Sequence, residues 1–194
     1  PIYIILPAII CGIAMKMEIG EIVEAIKRFQ LPPGRLNLIK GFKDDLTIID
    51  SSYNSSPKAC IEALKTLAGL KPKGTGRRIA VLGNMNELGE NSELLHAGVG
   101  EQIPEYCDVL ATVGDAANIF ADKAEAGGMK NIYRFKNVTE LIGKFKDELK
   151  EGDIVLVKGS QNQVRLERFV KEIMKHPELA EETLCRQGRV WERI

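Results

Sequence analysis

The strongest constraint on this chain is a repeated alternation. Short continuous runs of Ile, Val and Leu recur at Leu46–Asp50, Arg78–Leu82, Asp108–Val113, Ile132–Phe135 and Asp153–Val157. Amphipathic helical patterns fall between them, over Pro57–Leu70, Ser92–Ile103, Asp115–Ala126, Val138–Leu149 and Val164–Lys175. Strands apolar on both faces have no water-facing side, so they need helices above and below. The pattern therefore predicts an α/β fold, a mostly parallel sheet with helices on both faces. Arg35–Lys40 and Leu46–Asp50 read as neighbouring strands, with Gly41–Asp45 as a hairpin loop between them.

The N-terminal segment has a different texture. Pro1 to Met15 is almost wholly apolar, yet shorter than the ~20 residues of a membrane-spanning helix, and it has no basic leader region. It reads as the inside of a buried helix in a chain cut from a longer protein. Ile19, Ile22, Val23, Ile26 and Phe29 fall at helical spacing. Leu31-Pro32-Pro33-Gly34 then breaks the helix, which places a domain boundary there: residues 1–33 as a helical remnant of one domain, residues 34–194 as the sheet domain. In the tail, Leu179, Leu184 and Trp191 are candidate packing residues.

Composition excludes several functions. Lys+Arg and Asp+Glu are equal at 27 each, and aromatics make up 6%. That balance offers no basic footprint for nucleic acid or an anionic membrane, and few rings on which bases could stack. Cys11, Cys60, Cys107 and Cys185 are scattered without metal-ligand spacing, which fits idle thiols in a reducing cytoplasm. Lys73-Gly74-Thr75-Gly76 precedes a strand rather than following one, so it is a connector and not a phosphate loop; no Gly-x-x-x-x-Gly-Lys-Ser/Thr occurs.

The polar chemistry gathers at strand ends. Thr47-Ile48-Ile49-Asp50 runs into Ser51-Ser52-Tyr53-Asn54-Ser55-Ser56, and Pro57 opens the next helix. Leu82-Gly83-Asn84-Met85-Asn86-Glu87-Leu88-Gly89 and Val157-Lys158-Gly159-Ser160 have the same character, and Pro33-Gly34-Arg35 lies before the first strand. In an open parallel sheet such ends converge on one edge, where ligands bind. An Arg, a Lys and carboxylates there suit a phosphorylated or carboxylated ligand.

In this order the four segments, with Ser92-Glu93-Leu94-Leu95-His96, resemble the Mur ligase family, the ATP-dependent ligases that extend the peptidoglycan stem peptide. The resemblance is to the member that adds D-alanyl-D-alanine, and it covers nearly the whole chain. Residues 1–33 resemble the closing helices of the family's central ATP-binding domain, and residues 34–194 its C-terminal Rossmann-like domain. Ser51, Ser56, Asn84 and Gln161 depart from the family pattern, which has Asp, Asn, Asp and Arg there.

The resemblance implies ATP as cofactor, with Mg2+ and the catalytic groups held upstream of residue 1. It implies a UDP-N-acetylmuramoyl-tripeptide and D-alanyl-D-alanine as substrates, joined through an acyl phosphate. It assigns Arg35, Asp50 and Asn54 to the nucleotide, and Asn84, Glu87, Lys158 and Ser160 to the incoming dipeptide. Tyr53 reads as a residue packed under the loop, His96 as structural or exposed, and His176 as surface. The implied protein is cytoplasmic and monomeric, with no nucleic-acid or membrane partner. Two alternatives stand beside it: a folylpolyglutamate synthetase-like ligase, and a non-catalytic nucleotide-binding module.

Overall fold

The computed structural model describes residues 2–161 and 164–192. The chain divides into two compact units, Pro1–Pro32 and Pro33–Ile194. In the first, α1 (Ile2–Ala14) and α2 (Ile19–Arg28) pack through Ile22, whose side chain lies against Gly12. A Cβ on Gly12 would sit 2.8 Å from that side chain, so glycine is what permits the approach. Most of the apolar stripe expected on α2 is open in this unit, Ile19, Val23 and Phe29 included. Among the described residues, no helix is long and apolar enough to cross a membrane.

The second unit is built on six strands: β1 (Asn37–Lys40), β2 (Thr47–Ser51), β3 (Arg78–Gly83), β4 (Val109–Val113), β5 (Ile132–Phe135) and β6 (Ile154–Lys158). Their order is β1-β2-β6-β3-β4-β5. Only β1 runs antiparallel, joined to β2 by the expected hairpin. The helices α3 (Pro57–Gly69), α4 (Ser92–Gly100), α5 (Asn118–Ala126) and α6 (Val138–Phe145) complete the crossovers, and α7 (Glu167–Ile173) follows β6.

Alternation along each strand sorts the core into two layers. Ile48, Ile79, Val81, Val155 and Val157 face α6, α7 and the tail, with Phe145 and Phe169 filling that side. Ile49, Ala80, Leu82, Ile154 and Leu156 face α3, α4 and α5, with Leu64, Leu67 and Phe120 beneath them. By the same alternation Asp50 falls on the α7 side with Ile48, while Ser51 and Lys158 fall on the α3 side. This parity decides what the polar strand ends can touch.

Two helices are shorter than their periodicity predicts. The pattern over 164–175 forms a helix only from Glu167 to Ile173, because Arg165 takes a left-handed backbone (φ 51°) that no α-helix accommodates. The pattern over 92–103 gives way at Gly100, and Pro104 shapes the short 3-10 turn Ile103–Glu105 that follows. In the tail Leu184 joins the core and Trp191 is half-buried, but Leu179 is exposed; Ala180 takes the buried position beside it. In the glycine-rich segment before β3, Gly74 has open space around it but Gly76 is packed. A Cβ on Gly76 would lie 2.1 Å from the Gly152 carbonyl oxygen, and Arg77 grips buried Asp153 through Nε and Nη2 (3.2 and 2.7 Å). That segment sits at the N-terminal edge of the sheet, opposite the polar strand ends.

Candidate functional site

Connections from β3 run outward through β4 and β5, whereas β6 and β2 lie on its other side, so the order reverses between β3 and β6. The crevice beyond the C-terminal ends at such a reversal is the natural ligand position in an open parallel sheet. The loops after β2, β3 and β6 meet there. Register pairs Ser51 with Lys158 and Lys158 with Leu82, which brings the three ends level.

Ser160 binds the three loops into one unit. Its Oγ donates to the Ser55 carbonyl (3.1 Å) and accepts from the Asn86 N–H (2.9 Å); its own N–H donates to the Asn84 carbonyl (3.1 Å). Asn86 Nδ2 adds a bond to the Gln161 carbonyl at 2.7 Å. Gly159 leaves room for this junction, since a Cβ there would press within 3.0 Å of Leu166. Ser160 is 2% exposed, so its hydroxyl is a junction between loops and not an open ligand group.

Lys158 is also turned inward. Its Nζ donates to the Asn54 carbonyl (2.8 Å) and to Ser51 Oγ (3.3 Å). Burial, above all, holds this ammonium below the usual lysine range, and Arg35 nearby adds to the effect while Cys60 opposes it. With Ser51 in place of a carboxylate, its partners are neutral oxygens.

Asp50 lies on the other side of β2 with no exposed surface. Its Oδ1 accepts the Ser52 N–H at 3.1 Å, the closure of an Asx turn, while Oδ2 has no hydrogen-bond partner among the described residues. Burial raises its pKa most; hydrogen bonds from Ser52 pull the other way, and neighbouring Glu167 adds to the rise. As placed, the carboxylate shapes the turn and does not face the crevice.

The groups that do open to the edge are Arg35, Asn54 and Glu87, all exposed. Arg35 lies over the Tyr53 ring (4.5 Å), and the Tyr53 N–H donates to the Gly34 carbonyl (3.1 Å), which ties the Pro-Gly-Arg segment to the β2–α3 loop. Gly34 is required there: its φ is 76°, and a Cβ would meet the Tyr53 backbone N at 2.9 Å. Asn54 Oδ1 accepts from the Ser55 N–H (2.8 Å), which leaves its amide nitrogen for a ligand. Glu87 protrudes on a left-handed residue (φ 63°). Asn84, half-buried, spends its Oδ1 on the Ala117 N–H (2.8 Å) and so braces the loop after β4.

His96 fixes the floor of the Asn84–Gly89 loop. Its Nε2 accepts the Met85 N–H (3.0 Å) and its Nδ1 lies 2.7 Å from the Ser92 carbonyl, an arrangement that requires the neutral imidazole with its proton on Nδ1. Burial pushes its pKa down, partly offset by that Ser92 bond.

Sequence reasoning missed the tail's part in the site. Arg186 donates to the Ser52 and Tyr53 carbonyls (2.7 and 3.0 Å) and pairs with fully buried Glu167 (2.7 Å), which also holds Arg165 (2.6 Å). Burial alone would raise the Glu167 pKa, but the two arginines outweigh it and hold the carboxyl below its usual value. The available signal was a glutamate on the apolar face of α7, one residue after Leu166 and ahead of Phe169, Val170 and Ile173.

Residues 34–161 match the family described as Mur ligase, glutamate ligase domain. The chain is similar to UDP-N-acetylmuramoyl-tripeptide–D-alanyl-D-alanine ligase of Bacillus subtilis strain 168, 32% identical over 145 residues, covering 74% of this chain and 31% of that protein. It is similar to the ligase of the same name from Escherichia coli K12, 29% identical over 170 residues, covering 84% of the chain and 35% of the relative. Among solved structures it resembles MurF ligase from Thermotoga maritima in complex with ADP, with a TM-score of 0.69 and 25% identity over 90% of this chain and 37% of that one. A MurF structure from Acinetobacter baumannii shares the fold, with a TM-score of 0.70 at 21% identity over 88% of this chain and 35% of that one. The chain thus spans about a third of the length of the curated relatives it matches.

Proposed function

The chain belongs to the Mur ligase family, and on that premise we propose that it is the C-terminal portion of a cytoplasmic, monomeric, ATP-dependent amide ligase. The reaction would join D-alanyl-D-alanine to a UDP-N-acetylmuramoyl-tripeptide in peptidoglycan synthesis. The observation that carries the reading is the locked strand edge: three loops stitched by Ser160, with Arg35, Asn54 and Glu87 left open at the point where the strand order reverses. The curated relatives bear the dipeptide-adding name, which supports this reading over a folylpolyglutamate synthetase-like ligase or a non-catalytic module.

The residues present fit part of a nucleotide. Arg35, over the Tyr53 ring, offers an exposed guanidinium fork to ribose or phosphate oxygens, and Asn54 offers an amide to a base edge. ATP would supply the phosphoryl group that activates the substrate carboxylate, and its Mg2+ would be held upstream, beyond residues 1–33, which are proposed to close the ATP-binding domain. Asp50, enclosed on the α7 side, acts through the turn it fixes. Lys158 and Ser160 hold the loops in register, so the incoming dipeptide meets Glu87, whose carboxylate suits a cationic amine, and the Asn84 loop. Held loops of this kind contribute by positioning, since little movement is needed once the reactants are seated.

The test is kinetic. In the full-length protein, Arg35→Ala and Asn54→Ala should raise the ATP KM about tenfold or more, as loss of a hydrogen bond involving a charged group or ligand does, and leave the dipeptide KM nearly unchanged. An unchanged ATP KM in both variants would remove the nucleotide from this edge.

A further inference from the structure

Away from the strand edge, α7 and the tail enclose a pocket of about 280 Å3 lined by Arg165, Arg168, Lys171, Arg186 and Trp191, with Glu181 as the one acidic residue on its wall among the described residues. Its ion pairs leave positive charge over. Glu167 behind the wall is shared by Arg165 and Arg186, while Arg168 and Lys171 form no ion pair among the described residues. Among the described residues, Arg165, Arg168, Lys171 and Arg186 thus face Glu181 on the wall and Glu167 behind it. The Arg165 and Arg168 guanidiniums converge on a single acceptor, the Trp191 carbonyl, at 3.2 and 3.5 Å. Like charges drawn this close in a half-buried place call for an anion.

A second observation points the same way. Arg165 is 5% exposed, yet among the described residues its Nη1 has no hydrogen-bond partner. A buried donor left unmade is costly and calls for an explanation, an ion being one. The residue is also held in a left-handed conformation (φ 51°), strain that its surroundings impose.

We propose that this pocket binds a small oxyanion, phosphate or the carboxylate terminus of a short peptide. Arg168 and Lys171 would hold it at the mouth, Arg165 within, and the Trp191 ring, 5.4 Å from the Arg165 guanidinium, forms the apolar wall. Arg186 joins this pocket to the Ser52–Tyr53 carbonyls, so its occupancy is coupled to the β2–α3 loop.

Trp191 is the only tryptophan in the sequence, so its emission reports the pocket directly. The chain is titrated at constant ionic strength with inorganic phosphate, with D-alanyl-D-alanine and with the C-terminal amide of that dipeptide. The expected result is a saturable change with phosphate, with the free dipeptide, or with both, and none with the amide. Phosphate alone identifies a free-oxyanion site, the dipeptide alone a peptide-terminus site, and both a seat for either carrier. Arg168→Gln and Lys171→Gln, at half-buried and exposed positions, should each weaken binding about tenfold. They keep the test valid if Arg165→Ala fails to fold. No saturable change with either anion, an equal response to the amide, or wild-type affinity in the Arg168→Gln/Lys171→Gln double variant would overturn the assignment. The readout needs no ligase activity: phosphate binding here in a protein that forms no amide would sustain this site and sink the proposed function.

Discussion

Replacing His96 by leucine removes the acceptor on which the Asn84–Gly89 loop rests. Met85 is 2% exposed, so its N–H, now 3.0 Å from His96 Nε2, would lose its partner inside the protein and find no water. An unmade buried donor costs about 1–3 kcal/mol. Leucine preserves much of the packing against Phe120, whose ring centroid lies 4.9 Å from the imidazole's, so the hydrogen bond dominates the loss. For a body of this size each kcal/mol moves the melting temperature by about 2–4 °C, giving an expected drop of roughly 2–12 °C. The pH dependence separates this cause from simple cavity formation. The folded pKa of His96 is depressed below the 6.5 of a free imidazole. Neutral His96 therefore contributes its stabilisation fully above that value and loses it as pH falls through the lower folded pKa. The wild-type protein should melt higher than His96→Leu by the full margin near pH 7.5, and the margin should shrink by about pH 5. Thermal melts of both proteins across that range provide the assay. All other titrating groups are common to the two and cancel in the difference. A constant margin would refute the argument that a neutral, Nδ1-protonated His96 holds the loop.

Other outcomes follow from the same geometry. Arg186→Ala strips the Ser52 and Tyr53 carbonyls of a donor and leaves Glu167 with Arg165 alone; hydrogen exchange at residues 52–55 should accelerate, and Arg186→Lys should restore little because one ammonium cannot reproduce the fork. Unchanged exchange would deny the tail its hold on the loop. Gly34→Ala places a Cβ 2.9 Å from the Tyr53 backbone N at φ 76°, so it should destabilise the Pro33–Ile194 unit by about 1–3 kcal/mol in urea melts, whereas Gly74→Ala, with open space around it, should cost about 1 kcal/mol for its φ alone. Equal midpoints would contradict the close approach at Gly34. The 194-residue chain, whose sequence contains no phosphate loop, should neither hydrolyse ATP nor bind it in the micromolar range by calorimetry.

Much of the fold is legible because parallel strands declare themselves. Ile79–Leu82 and Ile154–Val157 are apolar at every position, and only a doubly covered strand tolerates that. The hairpin before Thr47 and the helix opening at Pro57 follow from local turn and cap chemistry, here Ser56 accepting the Ala59 N–H at 3.4 Å. Helix ends are less legible: nothing local shows that Arg165 is left-handed, a state set by its contacts with Glu167 and the Trp191 carbonyl. The site divides in the same way. Its edge is readable from polar strand ends, but which of those side chains turn inward depends on partners about a hundred residues away, as with Lys158 and Asn54 or Ser160 and Ser55. Strand parity carries part of that answer, since it sets Asp50 beside Ile48 and opposite Ser51. The pairing of Arg186 with Glu167 joins two segments by charge alone and leaves no periodic signature.

The most direct test of the whole account is amide formation by the full-length protein with UDP-N-acetylmuramoyl-tripeptide and ATP, followed as ADP release against a set of acceptors: D-alanyl-D-alanine, D-alanine, L-alanyl-L-alanine and glutamate. ADP release is expected to require D-alanyl-D-alanine and to fall sharply in Arg35→Ala. Release driven equally by glutamate, or none with any acceptor in a protein that binds ATP, would contradict it.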